Sequence, residues 1–195
     1  PVVNSADWDG DSATDLVIGN SEGKILFFRN RGTTVSPEFA RGVPLTAGGE
    51  PIHTQQGYWG IQGPGEARWG YISPCVVDWN GDGAPDLVSS DATARHSLYL
   101  NLGSPSAVAE RLSVPSGAGS GSATKQAPRL DVARPLYCDG IDLHGTWRVR
   151  PAAGMIGGRM AYVALDDDDQ FHLYWRIDDQ NLRDGGKLKL DDGSP

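Results

Sequence analysis

The chain has 195 residues, of which 38% are apolar and 22% are charged, a composition typical of one globular domain with a sizeable core. It carries 25 acidic and 17 basic residues, giving a formal net charge of −8. This charge argues against binding to nucleic acids and to anionic membranes, since both need clustered Lys and Arg. No stretch approaches the roughly 20 consecutive apolar residues of a membrane-spanning helix, so we expect no membrane insertion.

Frequent turn residues favour a β-rich fold. The chain contains 26 Gly and 13 Pro, and helical periodicity is missing from the segments with the clearest pattern. Such a composition favours short strands joined by many turns.

An Asp- and Gly-rich segment near the start of the chain recurs later. The segment DWDGDSATDLV at residues 7–17 returns as DWNGDGAPDLV at residues 78–88, an offset of 71 positions. The same offset relates Asn30-Arg-Gly32 to Asn101-Leu-Gly103. Because both ends of the unit share one offset, the sequence indicates an internal repeat.

Each copy has the pattern of an Asp-rich loop followed by a β-hairpin. An apolar run at 16–18 or 87–88 is followed by a polar turn and a second apolar run at 25–28 or 97–100. Short apolar runs joined by Gly, Asn and Asp turns are typical of hairpins. We therefore predict strand units at about 1–49, 72–114 and 128–177, with an insertion at 50–71 and a Gly/Ser-rich loop at 115–127.

The third unit departs from the pattern of the first two. Segments 129–132, 161–165 and 171–177 are predicted strands, and Asp166–Asp169 is predicted to be a hairpin turn. Cys138–Leu143 weakly resembles the Asp loop, but its spacing fails. We expect this unit to lack the metal site of the other two.

The Asp loops predict two calcium sites. Acidic or amide side chains stand at loop positions 1, 3, 5 and 9, and such a group is repulsive without a cation. Calcium takes six to eight hard oxygen ligands in a flexible cage. Neither loop contains His or Cys, so zinc is not expected. The predicted ligands are the side chains of Asp7, Asp9, Asp11, Asp15, Asp78, Asn80, Asp82 and Asp86 and the backbone carbonyls of Ala13 and Ala84.

The EF-hand is the main competing interpretation of these loops. It requires Gly at position 6 and Glu at position 12. Position 6 is Ser12 in the first copy, and position 12 is Ile18 or Ser89. The flanking segments are also strand-like, so the EF-hand is excluded.

The Asp loop, the hairpin and the closing Asn-x-Gly together resemble the FG-GAP/VCBS-type repeat. The resemblance covers residues 1–32 and 72–103. It implies an all-β fold, a calcium-binding β-propeller, and calcium ligands at the positions named above. Since Asn80 replaces a charged Asp, the second site is expected to bind calcium more weakly.

The number of blades implied by the resemblance exceeds what this chain supplies. Propellers contain about four to eight blades of four antiparallel strands. At the observed spacing 195 residues supply about three blades, and both ends look cut. We expect a partial propeller that is a fragment of a larger ring; closure by partners, such as the remaining blades of the same parent chain, and a small ring with degenerate blades stay open.

The insertion supplies the predicted ligand-binding residues. Long insertions in compact domains are often functional, and aromatic faces beside polar groups suit sugar rings. The predicted binding residues are Tyr58, Trp59, Arg68, Trp69 and Tyr71.

Function is predicted from these features and from the resemblance. The main hypothesis is a calcium-stabilised module of a secreted, periplasmic or cell-surface protein that binds or adheres to carbohydrate or protein. The alternatives are a carbohydrate-active propeller such as a polysaccharide lyase, and a purely structural scaffold. The sequence leaves open the ligand, the oligomeric state and whether Cys75 and Cys138 form a disulfide.

Overall fold

Strands make up the regular secondary structure of the residues that the structure describes. The computed structural model describes residues 1–55, 69–103, 128–145 and 149–189. The strands of this part of the chain form several small sheets, which confirms the predicted all-β class. None of these residues belongs to a helix long and apolar enough to cross a membrane.

The first sheet is a four-stranded antiparallel meander. Its strands, in spatial order, are β1 (Val2–Ala6), β2 (Asp15–Gly19), β3 (Ile25–Phe28) and β4 (Val43–Pro44). Side chains alternate between the two faces of each strand. Val17, Ile25 and Phe27 are buried on one face, and the residues between them are half-buried on the other.

The hairpin of β5 (Thr46–Ala47) and β6 (Glu50–Pro51) lies between the first two sheets in the sequence. The second sheet repeats the first and has β7 (Ser73–Val77), β8 (Asp86–Ser90), β9 (His96–Tyr99) and β10 (Arg134–Pro135). Every residue of β8 is buried, as expected of a strand covered on both faces.

The third sheet is built around a longer meander. Two short strands, β11 (Tyr137–Cys138) and β12 (Ile141–Asp142), form one edge. The meander consists of β13 (Ala152–Ile156), β14 (Arg159–Leu165), β15 (Phe171–Arg176) and β16 (Asn181–Lys187). The edge hairpin joins it through the parallel pairing of β11 with β16.

Two of the three strands predicted after residue 128 are present. They are β14 and β15, and Asp166–Asp169 is the turn between them, closed by the Asp169 N–H donating to the Asp166 carbonyl at 3.0 Å. The prediction of a strand at 129–132 is wrong, because only Leu130 forms bridges there, to Ala47 and Asn101. Residues 134–135, placed by the sequence in the third unit, complete the second sheet.

The second sheet lies between the other two and shares a core with each. One core contains residues of the first and second sheets, including Trp8, Val17, Phe27, Leu87 and Tyr99. The other contains residues of the second and third sheets, including Trp79, Val88, Leu98, Tyr162 and Tyr174. Trp8 and Trp79, from the two Asp loops, are among the largest fully buried side chains. The Trp of each loop therefore helps to join its own sheet to the next.

The internal repeat continues after the Asn-x-Gly motif of each unit, but there the two copies are 91 positions apart instead of 71. Leu45 and Leu136 are both buried, and they donate backbone hydrogen bonds to equivalent carbonyls, Ile25 at 2.9 Å and His96 at 3.0 Å. The sequence carries this repeat as Pro-Leu-x-x-x-Gly-x-x-Ile/Leu-His at 44–53 and 135–144. The segment Cys138–Leu143, whose spacing did not fit the Asp loop, is therefore a copy of the β5–β6 hairpin.

Each copy of this hairpin reaches the outer edge of the following sheet. Gly48 N–H donates to the Leu130 carbonyl at 3.0 Å, and Asp139 N–H donates to the Leu182 carbonyl at 3.2 Å. Ala47 pairs in parallel with Leu130, as β11 does with β16. We call these two segments, residues 46–51 and 137–142, the clasp hairpins, because each links one sheet to the next.

The two cysteines are free thiols in the structure. Cys75 is buried in β7, and Cys138 is partly exposed in β11.

Candidate metal centre

The two Asp loops occupy equivalent places in their sheets. Residues 7–14 connect β1 to β2, and residues 78–85 connect β7 to β8. The last carboxylate of each loop, Asp15 or Asp86, is also the first residue of the following strand. The loops are therefore positioned by the first two strands of each sheet.

The position-nine carboxylates are completely buried and tie each loop to its hairpin. Asp15 accepts hydrogen bonds from the backbone N–H of Trp8 at 3.0 Å and of Asn30 at 2.7 Å. Asp86 accepts the equivalent bonds from Trp79 at 2.9 Å and Asn101 at 2.7 Å. These contacts explain why the loop carboxylate and the distant Asn share one sequence offset.

The Asn-x-Gly motif also joins the end of each hairpin to its Asp loop. The Asn30 side-chain amide donates to the Thr14 carbonyl at 3.1 Å, and its oxygen accepts the Gly32 N–H at 2.9 Å. Asn101 makes the matching bonds to the Pro85 carbonyl and the Gly103 N–H, both at 2.9 Å. The motif therefore has a structural role that the sequence alone did not reveal.

Three carboxylates converge in the first loop. One oxygen atom from each of Asp7, Asp9 and Asp15 lies within 4.8 Å of the others. Burial is the main cause that raises the pKa values of Asp9 and Asp15, and the nearby Asp11 carboxylate adds to both. A hard divalent cation would relieve this repulsion, so the donor set fits calcium.

The fourth predicted ligand of the first loop, Asp11, has a different set of contacts. One of its oxygens accepts the Ala13 N–H at 2.9 Å, and the other lies 3.0 Å from the Arg29 guanidinium. Arg29 also lies 2.8 Å from Asp9. Arg29 was not among the predicted site residues, because its proximity to the loop depends on the pairing of β2 with β3.

The second loop is held by backbone hydrogen bonds to its first carboxylate. Asp78 accepts from the N–H groups of Gly81 at 2.9 Å, Asp82 at 3.0 Å and Gly83 at 3.0 Å. The Asn80 side-chain amide donates to Asp82 at 3.2 Å.

In the part of the chain that the structure describes, the second loop does not form a three-carboxylate group like that of the first. The physical reason is that Asn80 stands where the first loop has Asp9. Burial raises the pKa of Asp86 to about 6. The ligand sets inferred from the sequence stay predictions.

Position 6 of both loops has a left-handed backbone. Its φ is 73° at Ser12 and 87° at Gly83. A residue with a side chain is strained in this region, whereas Gly is not. The second copy thus has the residue suited to the turn, and the first does not.

Substitution of Ser12 by Gly is therefore expected to stabilise the protein. We expect a gain of about 0.5–1 kcal/mol in the free energy of unfolding, measured by urea denaturation. The reciprocal Gly83→Ser is the matched control and should destabilise by a similar amount. A loss of stability in Ser12→Gly would show that the hydroxyl is needed for the loop.

Two of the five predicted ligand-binding residues, Trp69 and Tyr71, are among the residues that the structure describes. Tyr58, Trp59 and Arg68 lie outside the described residues. The Trp69 and Tyr71 rings form a tilted pair with centroids 6.5 Å apart. Tyr71 and the preceding Gly70 donate backbone hydrogen bonds to the Ser21 carbonyl at 3.1 and 2.9 Å, which fixes this end of the insertion against the β2–β3 turn.

Tyr71 also lines a cavity of about 380 Å³. Polar residues on its wall include Asn20, Ser21, Ser73 and Arg150. No sequence pattern pointed to Arg150, which lies 79 positions from Tyr71. Hydrogen-bond donors and acceptors beside an aromatic ring are typical of a site for a polar ligand.

Comparison with known families supports the repeat interpretation. Residues 7–89 match the FG-GAP-like repeat family, and this range includes both Asp loops. No curated protein matches the chain.

Proposed function

We propose that the chain, whose residues 7–89 match the FG-GAP-like repeat family, is a calcium-stabilised β-propeller module of a secreted, periplasmic or cell-surface protein. Its function is to bind a carbohydrate or protein partner. The observation that carries the proposal is the convergence of Asp7, Asp9 and Asp15 in a loop whose structural frame recurs in the second sheet.

The packing of the sheets supports a propeller arrangement. In a propeller, four-stranded antiparallel sheets are arranged around a central axis. β7, the first strand of the second sheet, contacts both β1 and β13, the corresponding strands of its neighbours. The Asn4 side-chain amide donates to the Pro74 carbonyl at 2.7 Å across one of these contacts.

Calcium has a structural role in this proposal. Asp7, Asp9 and Asp15 would hold the ion in the first loop, with the other predicted ligands of that loop. When bound, calcium neutralises carboxylates that fold together at the start of β2. The chain's own residues then keep the loop attached to the hairpin through Asp15 and Asn30.

The partner-binding surface in this proposal is the region around Trp69 and Tyr71. The aromatic pair offers a stacking surface, and the cavity below Tyr71 offers polar groups. Neutral sugars and protein side chains are both compatible with such a surface.

Binding to a polysaccharide and glycoprotein panel tests this assignment. For a ligand found on the panel, Trp69→Ala and Tyr71→Ala should each weaken binding about tenfold or more, in line with the loss of an aromatic anchor. Phe171→Ala, an exposed aromatic on the third sheet, is the control and should bind normally. Unchanged affinity in both insertion variants would contradict the assigned surface.

A lyase is the second candidate function. A lyase that acts on uronates needs a base that takes the C5 proton and a cation that neutralises the carboxylate. Tyr71 and Arg150, which line the same cavity, are side chains of these two kinds. Incubation with uronate-containing polymers distinguishes the two candidates. Release of unsaturated products would favour the lyase, whereas binding without product release would favour the binding module.

A further inference from the structure

The side chain of an arginine outside the first Asp loop places a positive charge against two of the loop's carboxylates. Arg29 follows β3 directly, and its Nε lies 2.8 Å from Asp9 Oδ2. Its Nη2 lies 3.0 Å from Asp11 Oδ2. Both carboxylates are predicted calcium ligands, so one guanidinium bridges loop positions 3 and 5.

This contact is more than a surface ion pair. The Asp9 side chain is only 3% exposed, whereas the Arg29 side chain is 42% exposed. The guanidinium therefore covers a buried carboxylate from the solvent side. The two carboxylates in turn raise the pKa of Arg29, so the guanidinium stays charged.

The second unit has no equivalent arginine. The residue 71 positions after Arg29 is Leu100, which is buried in the core between the second and third sheets. The frames of the two loops are otherwise alike, down to the Asp15–Asn30 and Asp86–Asn101 hydrogen bonds. The two units therefore differ at this position: the first has an arginine that contacts its Asp loop, and the second has a buried leucine.

We propose that Arg29 is an internal counter-cation that holds the first loop together without metal and lowers its affinity for calcium. The inference rests on the calcium sites of the proposed function. The guanidinium reduces the repulsion between Asp9 and Asp11, so the loop needs the ion less. Calcium entering the loop must also approach a positive charge that lies against two of its ligands.

Arg29 consequently reduces the difference in calcium affinity that is expected between the two loops. The substitution of Asn80 for an Asp suggested that the second site is the weaker one. Arg29 acts in the opposite sense, because it weakens the first site. The difference between the sites is smaller than the count of acidic ligands alone predicts.

The test measures calcium binding to the first loop alone. Asp78→Ala with Asp82→Ala removes ligands of the second loop and serves as the background. In it, Arg29→Leu, which introduces the residue of the second unit, should lower the calcium Kd about tenfold at low ionic strength. The measurement is isothermal titration with calcium chloride. Circular dichroism confirms that each variant is folded.

Arg31→Leu is the matched control. Arg31 lies two residues away, its side chain is exposed, and its substitution makes the same change in net charge. Its calcium Kd should change less than that of Arg29→Leu. Arg29→Lys keeps the charge but loses the two-nitrogen fork, and it should bind calcium with an affinity between wild type and Arg29→Leu.

The metal-free state provides a second measurement. In chelator, Arg29→Leu should melt at a lower temperature than Arg31→Leu, because only the first variant leaves Asp9 and Asp11 without their bridge. Unchanged or weaker calcium binding in Arg29→Leu would overturn the inference while leaving the calcium sites in place. Failure of the wild-type chain to bind calcium at all would instead overturn the proposed function.

Discussion

Removing calcium should lower the melting temperature of the protein, and adding calcium back should restore it. An ion that binds only the folded state stabilises it by about 2.7 kcal/mol when its concentration is a hundred times Kd. For a chain of this size, 1 kcal/mol corresponds to about 2–4 °C in melting temperature. We therefore expect a difference of about 5–10 °C for each occupied site between saturating calcium and excess chelator.

Variants of the loops connect this response to the predicted ligands. Asp11→Ala together with Asp82→Ala changes position 5 of both loops and should remove most of the calcium response. Glu50→Ala together with Asp167→Ala is the control, because it removes two exposed negative charges outside the loops. This control should respond to calcium like the wild type. A wild-type melting curve that is the same in chelator and in calcium would disprove the calcium assignment.

The Asp loops could be predicted from sequence because their chemistry is local. Several carboxylates within nine residues indicate a cation whatever the rest of the fold does. The strands around them were equally visible, since alternating apolar runs and turn residues are short-range signals. The Asn-x-Gly motif was found by its offset, although its role became clear only from the contacts of Asn30 with Thr14 and Gly32.

The clasp hairpins could not be recognised in the same way. Their offset is 91, not 71, so a search at one period misses them. The two copies share few residues, mainly the Pro-Leu pair, one Gly and the final His. Their role also depends on pairing with the next sheet, through Leu130 or Leu182, which lies far away in the sequence.

Arg29 illustrates a further limit of sequence reasoning. It lies 20 positions after Asp9, and nothing in the local pattern links the two. The antiparallel pairing of β2 with β3 brings the end of β3 back to the loop. Contacts of this kind follow from strand register and not from composition.

A buried histidine should make the protein less stable in mild acid. His96 in β9 is 1% exposed, and its Nδ1 shares a hydrogen bond with the Tyr162 hydroxyl. Among the described residues its Nε2 is buried without a hydrogen-bond partner. Burial, with a smaller contribution from the nearby His144, lowers the pKa of His96 to about 4.

The direction of the effect follows from the two pKa values. The unfolded chain, with a histidine pKa near 6.5, binds a proton before the folded protein does. The stability that neutral His96 contributes is therefore present above pH 6.5 and is lost as the pH falls from about 6.5 to about 4. The full loss is on the order of 3 kcal/mol in the free energy of unfolding.

The first unit suggests the variant that tests this effect. Ile25 is the residue equivalent to His96, and it is completely buried in its own core. His96→Ile with Tyr162→Phe removes the histidine and its hydrogen-bond partner together, so neither is left unpaired. Urea denaturation of both proteins from pH 7 to pH 4 gives the difference in their free energies of unfolding. Because both retain the Asp loops and all other acidic groups, their difference isolates the histidine. Its contribution should make the wild type lose about 3 kcal/mol more than the variant, and parallel pH profiles would show that His96 does not titrate differently in the folded protein.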